Sequence, residues 1–497
     1  MPTAYDQVLY AGRPFRHTHP DRLASMAILF GMEPAPIDRC RVLELACGDG
    51  GNLIPIAFES PHSQYLGIDL AQSGIEIGRA QIKALGLTNI RLECMDIMDA
   101  GAELGTFDYI IAHGLYSWVP GPVREKLMAI AGANLAPQGI AYISYNTLPG
   151  CRIREMFRDM LLFHTSGLTE PQARLENARE FLESVASTQE ARGDLGLYLK
   201  SESRFLLDKA PAVLFHDEMG EIYHPVFFRD FVAHASRHGL QFLAEANYSN
   251  MQPRDLPEPA VALAGRASAG NRVLRDQYFD FFKNRAFRQT LLCRAEVAVP
   301  EDALADRVHR LSVSSQARPV SQDPDLSPGV AEEFRGERGA AITTAHPVVK
   351  AAMQVMSTAS PESRSFEQLA AEAENLSGVP ADRDGLAGIL LATYGSGLIE
   401  FHTRPPQCVS RVSRFPATSE LARWQASHEK LITTARHTCI DAKGAVERRL
   451  IALLDGTRDV DMLARELLPA LDQPEALVAR EVEVMLQKLA RFGLLRS

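Results

Sequence analysis

The sequence has few of the residues that mark disulfide-rich, zinc-binding or membrane-spanning proteins. Its 497 residues include seven cysteines and two tryptophans. No two cysteines stand in a Cys-x-x-Cys spacing, which argues against a zinc ribbon and against a disulfide framework. The chain does not open with a basic segment followed by an apolar one, and no apolar run approaches the ~20 residues that span a bilayer. We therefore expect a reduced, cytoplasmic protein without a membrane segment.

An excess of positive charge is also missing. The chain carries 62 acidic and 52 basic residues, for a formal net charge of −10. Proteins that mainly grip a phosphate backbone are usually basic, so we do not expect a nucleic-acid partner. His17-Thr18-His19 lacks the additional ligands of a metal site, and we predict no metal. At this length one hydrophobic core is not enough, and about two to four domains are expected.

The most informative segment is a short apolar strand that breaks into a glycine-rich turn. Residues 41–45 form the predicted strand, Gly48 and Gly50 lie in the turn, and a second strand ends in Asp69. Glycine allows positive φ and the close approach of a ligand. An acidic residue about 20 residues beyond such a turn suits two ribose hydroxyls. The combination predicts a site for an adenosine-type ligand.

The spacing Glu44-x-Ala46-x-Gly48-x-Gly50 differs from the dinucleotide fingerprint because an acidic residue stands on the first strand. It resembles motif I of the class I S-adenosylmethionine (SAM)-dependent methyltransferases. Ala46 occupies the position where that family most often has its first glycine. Alanine is the smallest replacement, so we expect the change to be tolerated.

Three later segments resemble the same family in order and spacing. Residues 91–97 have the form of its third strand, 107–113 of its fourth, and 135–144 of a helix end, turn and fifth strand. The resemblance implies an α/β, Rossmann-like class I methyltransferase sheet that uses SAM as its cofactor.

The resemblance also implies a set of cofactor-binding residues at the strand ends. The set comprises Glu44, Ala46, Gly48, Gly50, Asn52, Asp69, Leu70, Met95, Asp96, Ile97, His113, Gly114 and, from the N-terminal arm, Tyr5. In this interpretation Asp69 takes the ribose hydroxyls, Asp96 takes the adenine amino group, and His113 lies beside the methionine amino group.

Aromatic residues follow the fourth and fifth strands and suggest where the methyl acceptor binds. Tyr116 and Trp118 follow strand four, and Tyr145 and Asn146 follow strand five. An aromatic pair can hold an ammonium group face-on and shield it from water. We predict these four residues and His113 as the catalytic set. The alternative is that Trp118 anchors its loop and that His113 only caps a strand end.

Segments outside the cofactor motifs resemble one bacterial group more closely. Residues 114–120, 144–150 and 216–218 are similar to methyltransferases that carry a methyltransferase regulatory domain, a group that includes the rickettsial protein-lysine methyltransferases. The resemblance implies methylation of lysine side chains on a protein substrate. A small-molecule O- or N-methyltransferase, or a SAM-binding scaffold without turnover, stays open as an alternative.

Patterning along the chain predicts five regions. They are a SAM-binding core at 1–150, a helical insertion at 151–215, the remainder of the methyltransferase fold at 216–298, a Ser- and Pro-rich linker at 299–342, and a tandem winged-helix-like region at 343–497.

Two of these regions suggest contacts with other proteins. We expect the insertion to act as a lid or as a homodimer contact, with a separate helical domain outside the site as the alternative. The predicted second helix of the first winged-helix unit, residues 384–394, has no basic residue, which favours protein contact over DNA binding.

Overall fold

The computed structural model describes residues 12–188, 193–336, 339–470 and 474–496. Its centre is a seven-stranded sheet in the order β3-β2-β1-β4-β5-β7-β6, in which β7 alone runs antiparallel to its neighbours. The strands are β1 Arg41–Leu45, β2 Gln64–Asp69, β3 Ile90–Cys94, β4 Phe107–Ala112, β5 Leu135–Asn146, β6 Leu240–Glu245 and β7 Phe287–Arg294. This sheet confirms the predicted class I methyltransferase architecture.

The central strands are apolar along nearly their whole length because they are covered on both faces. Val42, Leu43 and Leu45 of β1 and Tyr109 of β4 are all buried. Helices precede or connect the strands of the first half: α1 Pro20–Leu29, α2 Leu53–Glu59, α3 Gln72–Ala84 and α4 Gly121–Asn134. Parallel pairing of β1 with both β2 and β4 brings the ends of these strands to one edge of the sheet.

The segment after β5 is helical, as the sequence pattern predicts. It contains α5 Arg152–His164, α6 Pro171–Thr188, α7 Gly193–Leu207 and a short helix, Pro211–Val213, that runs into a π-helical turn, Leu214–Glu218. Phe157, Leu161, Leu182 and Leu214 pack in a hydrophobic cluster distinct from the main core. The chain then returns to the sheet through α8 Phe228–Ser236, α9 Glu258–Ser268 and α10 Arg272–Lys283.

The described parts of residues 299–342 contain strands, whereas composition predicts a linker there. This part of the chain holds β8 Ser312–Ser315, β9 Arg318–Pro319, β10 Glu332–Arg335 and β11 Ala341–Thr344. The serines that suggested an exposed segment make hydrogen bonds inside a sheet. The Oγ of Ser314 lies 3.0 Å from Nε2 of His402, and the Oγ of Ser315 donates to the Leu398 carbonyl oxygen at 2.7 Å.

Strand β8 completes the first winged-helix-like unit. It pairs antiparallel with both β12 and β13. The unit's other elements are α11 Pro347–Ala359, β12 Arg364–Ser365, α12 Phe366–Ser377, α13 Arg383–Gly395 and β13 Ile399–His402.

The second unit ends the described chain. Its elements are β14 Ala417–Thr418, α14 Glu420–His428, β15 Leu431–Thr433, β16 Cys439–Asp441, α15 Ala445–Leu453, α16 Val460–Leu467, α17 Glu475–Arg491 and β17 Leu495–Arg496. Strands β15 and β16 pair antiparallel, and we call residues 431–441 the C-terminal hairpin. Within the described ranges, no helix has both the length and the apolar character needed to cross a membrane.

The first winged-helix unit packs against helix α1 of the methyltransferase fold through buried polar contacts. Asp21 of α1 accepts hydrogen bonds from Nδ1 of His402 at 2.9 Å and from the backbone N–H groups of Thr403 and Arg404 at 2.6 and 3.0 Å. Burial acts to raise the pKa of Asp21, but the hydrogen bonds and electrostatic effect of the His402 ring, together with the Thr403 hydroxyl, hold that pKa well below its usual range. The carboxylate of α1 is therefore satisfied by residues more than 380 positions later.

Candidate cofactor and methyl-transfer site

The glycine turn after β1 has two glycines that serve different purposes. Gly48 has φ +58°, and a Cβ placed there would meet no atom within 4 Å. Gly50 has φ +77°, and a Cβ there would lie 2.9 Å from Leu92 and 3.0 Å from Ile54. Gly48 therefore leaves open space for a ligand, whereas Gly50 is required by packing.

Ala46 adopts a positive φ of +60°, the conformation that the family's usual glycine adopts without strain. A left-handed conformation costs a non-glycine residue roughly 1–2 kcal/mol. The side chain is exposed, so the methyl group meets no crowding that would add to this cost. The replacement is accommodated, as the sequence predicts.

Asp69 lies at the end of β2 and closes the turn. Its Oδ2 accepts a hydrogen bond from the Gly48 N–H and its Oδ1 accepts one from the Ala71 N–H, both at 2.8 Å. Each oxygen keeps a second lone pair, so the carboxylate can still accept from two hydroxyl groups. Leu70 beside it is 56% exposed and offers an apolar surface next to the carboxylate.

The end of β3 continues this surface. Met95 and Ile97 are partly exposed, and Asp96 lies between them with its Oδ1 accepting from the Met98 N–H at 2.9 Å. The Met95 N–H donates to the Asp69 carbonyl oxygen at 2.9 Å, which ties the two strand ends together. Predicted ribose and adenine residues are thus neighbours in the structure.

Glu44 is the least satisfied group at this edge of the sheet. Its side chain is buried, and its Oε1 accepts from Nδ2 of Asn52 at 2.8 Å. Its Oε2 is also buried and has no hydrogen-bond partner within the described part of the chain. Burial raises the pKa of this carboxyl group to about 8, and the nearby carboxylates of Asp69 and Asp49 act in the same direction. A cationic group on a ligand would pair with the buried oxygen and favour the ionised carboxylate.

Asn52 connects the turn to both ends of the described chain. Its Oδ1 lies 2.9 Å from the Phe15 N–H nitrogen, 3.0 Å from Oγ1 of Thr18 and 2.9 Å from Nε2 of His437. Asn52 belongs to the predicted cofactor set, but these partners were not predicted. Phe15 and Thr18 lie in the N-terminal arm that sequence patterns placed over the cofactor; Tyr5 itself falls outside the described residues.

His113 and Gly114 lie at the end of β4, as predicted. Nδ1 of His113 is 3.0 Å from the Tyr142 hydroxyl oxygen and 3.2 Å from the Ser144 hydroxyl oxygen, which accepts from the Gly114 N–H at 2.8 Å. Burial lowers the pKa of His113 to about 4, so the ring is neutral near pH 7. Gly114 has φ +66°, and a Cβ there would meet nothing within 4 Å.

Two phenylalanine rings flank His113 at this end of the sheet. The Phe15 ring centroid lies 4.0 Å from that of His113, and the Phe287 ring centroid lies 6.3 Å away. Phe287 begins β7 opposite Asn146 and is 42% exposed. We call Phe15, His113 and Phe287 the aromatic rim. No local pattern marks Phe287 as a site residue, because only the antiparallel pairing of β7 brings it here.

Tyr116 and Tyr145, which the sequence suggested as acceptor contacts, lie buried in the core. The Tyr116 hydroxyl is 2.8 Å from Nδ1 of His234. The Tyr145 ring stacks on Phe231 at 3.9 Å between centroids, and its hydroxyl is 3.0 Å from the Thr290 hydroxyl. Residues of α8 and β7 cover both rings, and those elements are too distant in sequence for a local pattern to indicate this.

Trp118 and Asn146 lie against the helical insertion. The guanidinium groups of Arg154 and Arg158 lie 5.1 and 5.5 Å from the Trp118 ring centroid, and Tyr223 packs on the same ring at 5.0 Å. Nη1 of Arg154 donates to Oδ1 of Asn146 at 3.3 Å. The cation position on Trp118 is thus taken by helix α5, which agrees with the alternative that this residue anchors its loop.

The residues at the ends of β1–β4 fit SAM. Glu44 offers a buried oxygen without a donor, Gly48 and Gly114 leave open space, and Leu70 with the end of β3 offers an apolar surface beside Asp69. A ligand with a cationic amino acid end, ribose hydroxyls and a flat base would satisfy all of these positions.

Comparisons with known proteins agree with this chemistry. Residues 42–139 match the methyltransferase domain model, residues 210–294 match the predicted methyltransferase regulatory domain, and residues 415–491 match the C-terminal winged helix domain of PKMT. The regulatory match covers the return to the sheet, and the last match covers the second winged-helix unit.

Similarity extends over the whole chain for two relatives. Protein RP789 of Rickettsia prowazekii is 30% identical over 489 residues, which covers 96% of this chain and 88% of that protein. The structure of PKMT2 from Rickettsia typhi in complex with AdoHcy (S-adenosyl-L-homocysteine) matches with a TM-score of 0.88 at 28% identity. The match covers 98% of this chain and 99% of PKMT2. The chain therefore belongs to the family of RP789 and PKMT2, and it is a class I SAM-dependent methyltransferase with a regulatory domain and a C-terminal winged-helix domain.

Proposed function

We propose that this enzyme transfers the methyl group of SAM to lysine side chains of a protein substrate. The observation that carries the proposal is the end-to-end similarity to PKMT2, whose name denotes a protein-lysine methyltransferase. The similarity includes the regulatory region and the winged-helix units as well as the cofactor fold. A small-molecule methyltransferase would share the cofactor fold, but its reaction does not call for the regulatory region together with the winged-helix units.

SAM supplies a methyl group already activated for transfer to a nucleophile. What remains for the protein is to orient the acceptor in line and to favour its uncharged form. A lysine amine has an ordinary pKa of about 10.4 and must lose its proton before it can attack. An apolar surrounding favours the neutral amine, because desolvation disfavours the charged form.

The aromatic rim offers such a surrounding. Phe287 and Phe15 are apolar, and His113 is held neutral by burial, with its Nδ1 facing the Tyr142 hydroxyl. Nε2 of Gln289 donates to the Tyr142 hydroxyl oxygen at 2.8 Å, so that hydroxyl directs its own hydrogen towards His113. His113 then carries its single hydrogen on Nε2. In this proposal the rim admits the lysine stem beside Gly114, and Glu44 and Asp69 hold the cofactor.

The test combines tritiated SAM with a lysine-containing protein acceptor from the source organism. We expect label in the protein fraction and methyl-lysine by mass spectrometry. Label confined to the acid-soluble fraction would reject the protein acceptor and favour a small molecule. No label in either fraction, with AdoHcy still bound, would favour a SAM-binding scaffold.

Phe287→Ala tests the aromatic rim within that assay. Turnover should fall at least tenfold, about 1.4 kcal/mol of barrier, while AdoHcy affinity stays within twofold. Phe415→Ala is a matched control, because Phe415 is also 42% exposed but lies at the start of the second winged-helix unit. Equal turnover in both variants would remove Phe287 from the acceptor site.

We further propose that the helical insertion forms a homodimer contact in a cytoplasmic enzyme. Leu195, Tyr198 and Phe205 are exposed apolar side chains spaced along one stripe of α7. All seven cysteines are free, which suits a reducing compartment. Leu195→Glu with Phe205→Glu should convert a dimer to a monomer in light scattering; a parent protein that is already monomeric would contradict the proposal.

A further inference from the structure

The C-terminal hairpin reaches the cofactor turn of the methyltransferase fold. His437, in the turn between β15 and β16, is buried and has φ +54°. Its Nε2 lies 2.9 Å from Oδ1 of Asn52, and its ring lies 5.1 Å from that of His19. A non-glycine residue is held in this strained conformation only where its surroundings fix it, and such positions concentrate at functional sites.

The direction of the hydrogen bond between His437 and Asn52 follows from the other groups present. The backbone N–H of Phe15 can only donate, so the amide oxygen of Asn52 must face it. His437 must therefore donate from Nε2 to the same oxygen. The single hydroxyl hydrogen of Thr18 is divided between that oxygen at 3.0 Å and the Phe15 carbonyl oxygen at 2.8 Å. His437 is thus one of two committed donors that orient the amide.

This orientation determines what Asn52 presents to Glu44. With the oxygen turned towards Phe15 and His437, the amide nitrogen faces Glu44 and donates to its Oε1 at 2.8 Å. That bond holds the carboxylate and leaves Oε2 without a partner. Against the ionised carboxylate that a bound cationic group favours, a rotated amide would place one acceptor opposite another and leave both unsatisfied.

We propose that His437 is a positioning residue for SAM, so that the C-terminal winged-helix unit completes the cofactor site of the methyltransferase fold. His437 acts through Asn52 on Glu44, across 385 positions of sequence. The inference rests on the proposed role of Glu44 as a cofactor contact and is independent of the methyl acceptor. On this proposal the cofactor site of this chain is incomplete without the C-terminal unit.

The experiment measures AdoHcy affinity of the full-length protein by calorimetry, together with the melting temperature of the ligand-free protein. His437→Leu removes the donor, whereas His437→Gln keeps an N–H donor near the position of Nε2, and both replacements meet the same backbone strain. We expect the Leu variant to raise Kd about tenfold and the Gln variant to stay within threefold. Thr438→Val, in the same turn, is the control and should leave Kd unchanged.

Equal losses of affinity in the Leu and Gln variants, with equal falls in melting temperature, would overturn the proposal and make His437 a merely structural residue. So would a Leu variant that binds like the parent protein.

A double-mutant cycle tests the route through Glu44. In a Glu44→Gln background, His437→Leu should change Kd less than threefold. The same tenfold loss in both backgrounds would show that His437 does not act through Glu44. If Glu44→Gln alone binds AdoHcy like the parent protein, the assignment of Glu44 fails, and the proposed lysine acceptor is unaffected by that result.

Discussion

The edge of the sheet at β1 and β2 can be compared with the aromatic residues that follow β4 and end β5. Both regions contain the residue types expected of a functional site, but they differ in how many of their polar atoms have hydrogen-bond partners. Within the described residues, Glu44 keeps a buried oxygen without a hydrogen-bond partner, and no atom lies within 4 Å of a Cβ placed on Gly48. Tyr116 and Tyr145 are covered, and their hydroxyl groups have protein partners. Unsatisfied groups and open space distinguish a ligand site better than aromatic content does.

The largest expected effect on this comparison comes from removing residues 340–497. Without His402, Thr403 and Arg404, the buried carboxylate of Asp21 loses four donors, and the strand β8 loses both pairing partners. We expect the truncated protein to aggregate or to lack a cooperative thermal transition, measured by calorimetry beside the full-length protein. A cooperative transition with AdoHcy binding retained would show that the methyltransferase sheet is independent of the tail.

Tyr145→Ala, near the end of β5, tests the covered aromatic residues and should mainly affect stability. Loss of a buried aromatic ring costs about 3–5 kcal/mol in the free energy of unfolding, measured by urea denaturation. Tyr145→Phe should cost only about 1 kcal/mol, because it removes the hydroxyl contact with Thr290 alone. The folded Ala variant should bind AdoHcy with unchanged Kd. A large loss of affinity with little loss of stability would return Tyr145 to the ligand site.

Asp69→Ala tests the open edge and should show the opposite pattern. We expect AdoHcy binding to weaken by roughly 1.5–3 kcal/mol, the range for hydrogen bonds to a charged group, with little change in melting temperature. Glu93→Ala, near the end of the neighbouring strand β3, is the matched control because its side chain is 32% exposed and its carboxylate pairs with Arg91. Were the control to weaken binding equally, the ribose assignment would be wrong.

The smallest effect is a pH dependence of AdoHcy binding. In the ligand-free protein burial raises the pKa of Glu44 to about 8, and a bound cationic amino group favours the ionised carboxylate. Affinity should therefore rise between pH 7 and 8 by about fivefold, ~1 kcal/mol, and level off above that range. Glu44→Gln should abolish the dependence; its persistence in that variant would assign the titration to another group.

The same pKa shift affects the stability of the ligand-free protein with the opposite sign. The folded-state value lies above the unfolded value of about 4.3, so the folded protein holds this proton more tightly. The contribution of Glu44 to stability is fully present below that value and is lost as the pH rises through about 8. Thermal unfolding of the parent protein and of Glu44→Gln at pH 5 and 8 measures the difference.

The sequence predicted the parts of the site that depend on local patterns. The strand that ends in Asp69 and the turn that holds Gly48 are each encoded within about a dozen residues, and both are where they were expected. The covering of Tyr116 by His234 and the contact of Asn52 with His437 depend on segments 118 and 385 positions apart. No local periodicity carries such information, which is why these partners were missed.

Composition is a poor guide to exposure where polar side chains form hydrogen bonds inside the protein. Residues 312–315 are rich in serine, yet all four are buried in β8. Serine hydroxyls can pair inside a sheet, and Ser314 and Ser315 do so with His402 and the Leu398 backbone. A polar segment is a linker only when its hydrogen bonds go to water, and the sequence does not reveal their partners.

The contacts between Asp21 and residues 402–404 delay the final packing of helix α1 during synthesis of the chain. Helix α1 leaves the ribosome long before its partners, which follow 381 to 383 positions later. Throughout that interval the carboxylate of Asp21 stays solvated and the N-terminal segment cannot reach its final packing. The enzyme therefore matures only after nearly the whole chain has been released, and a nascent or prematurely terminated chain has no complete site at which to consume cofactor.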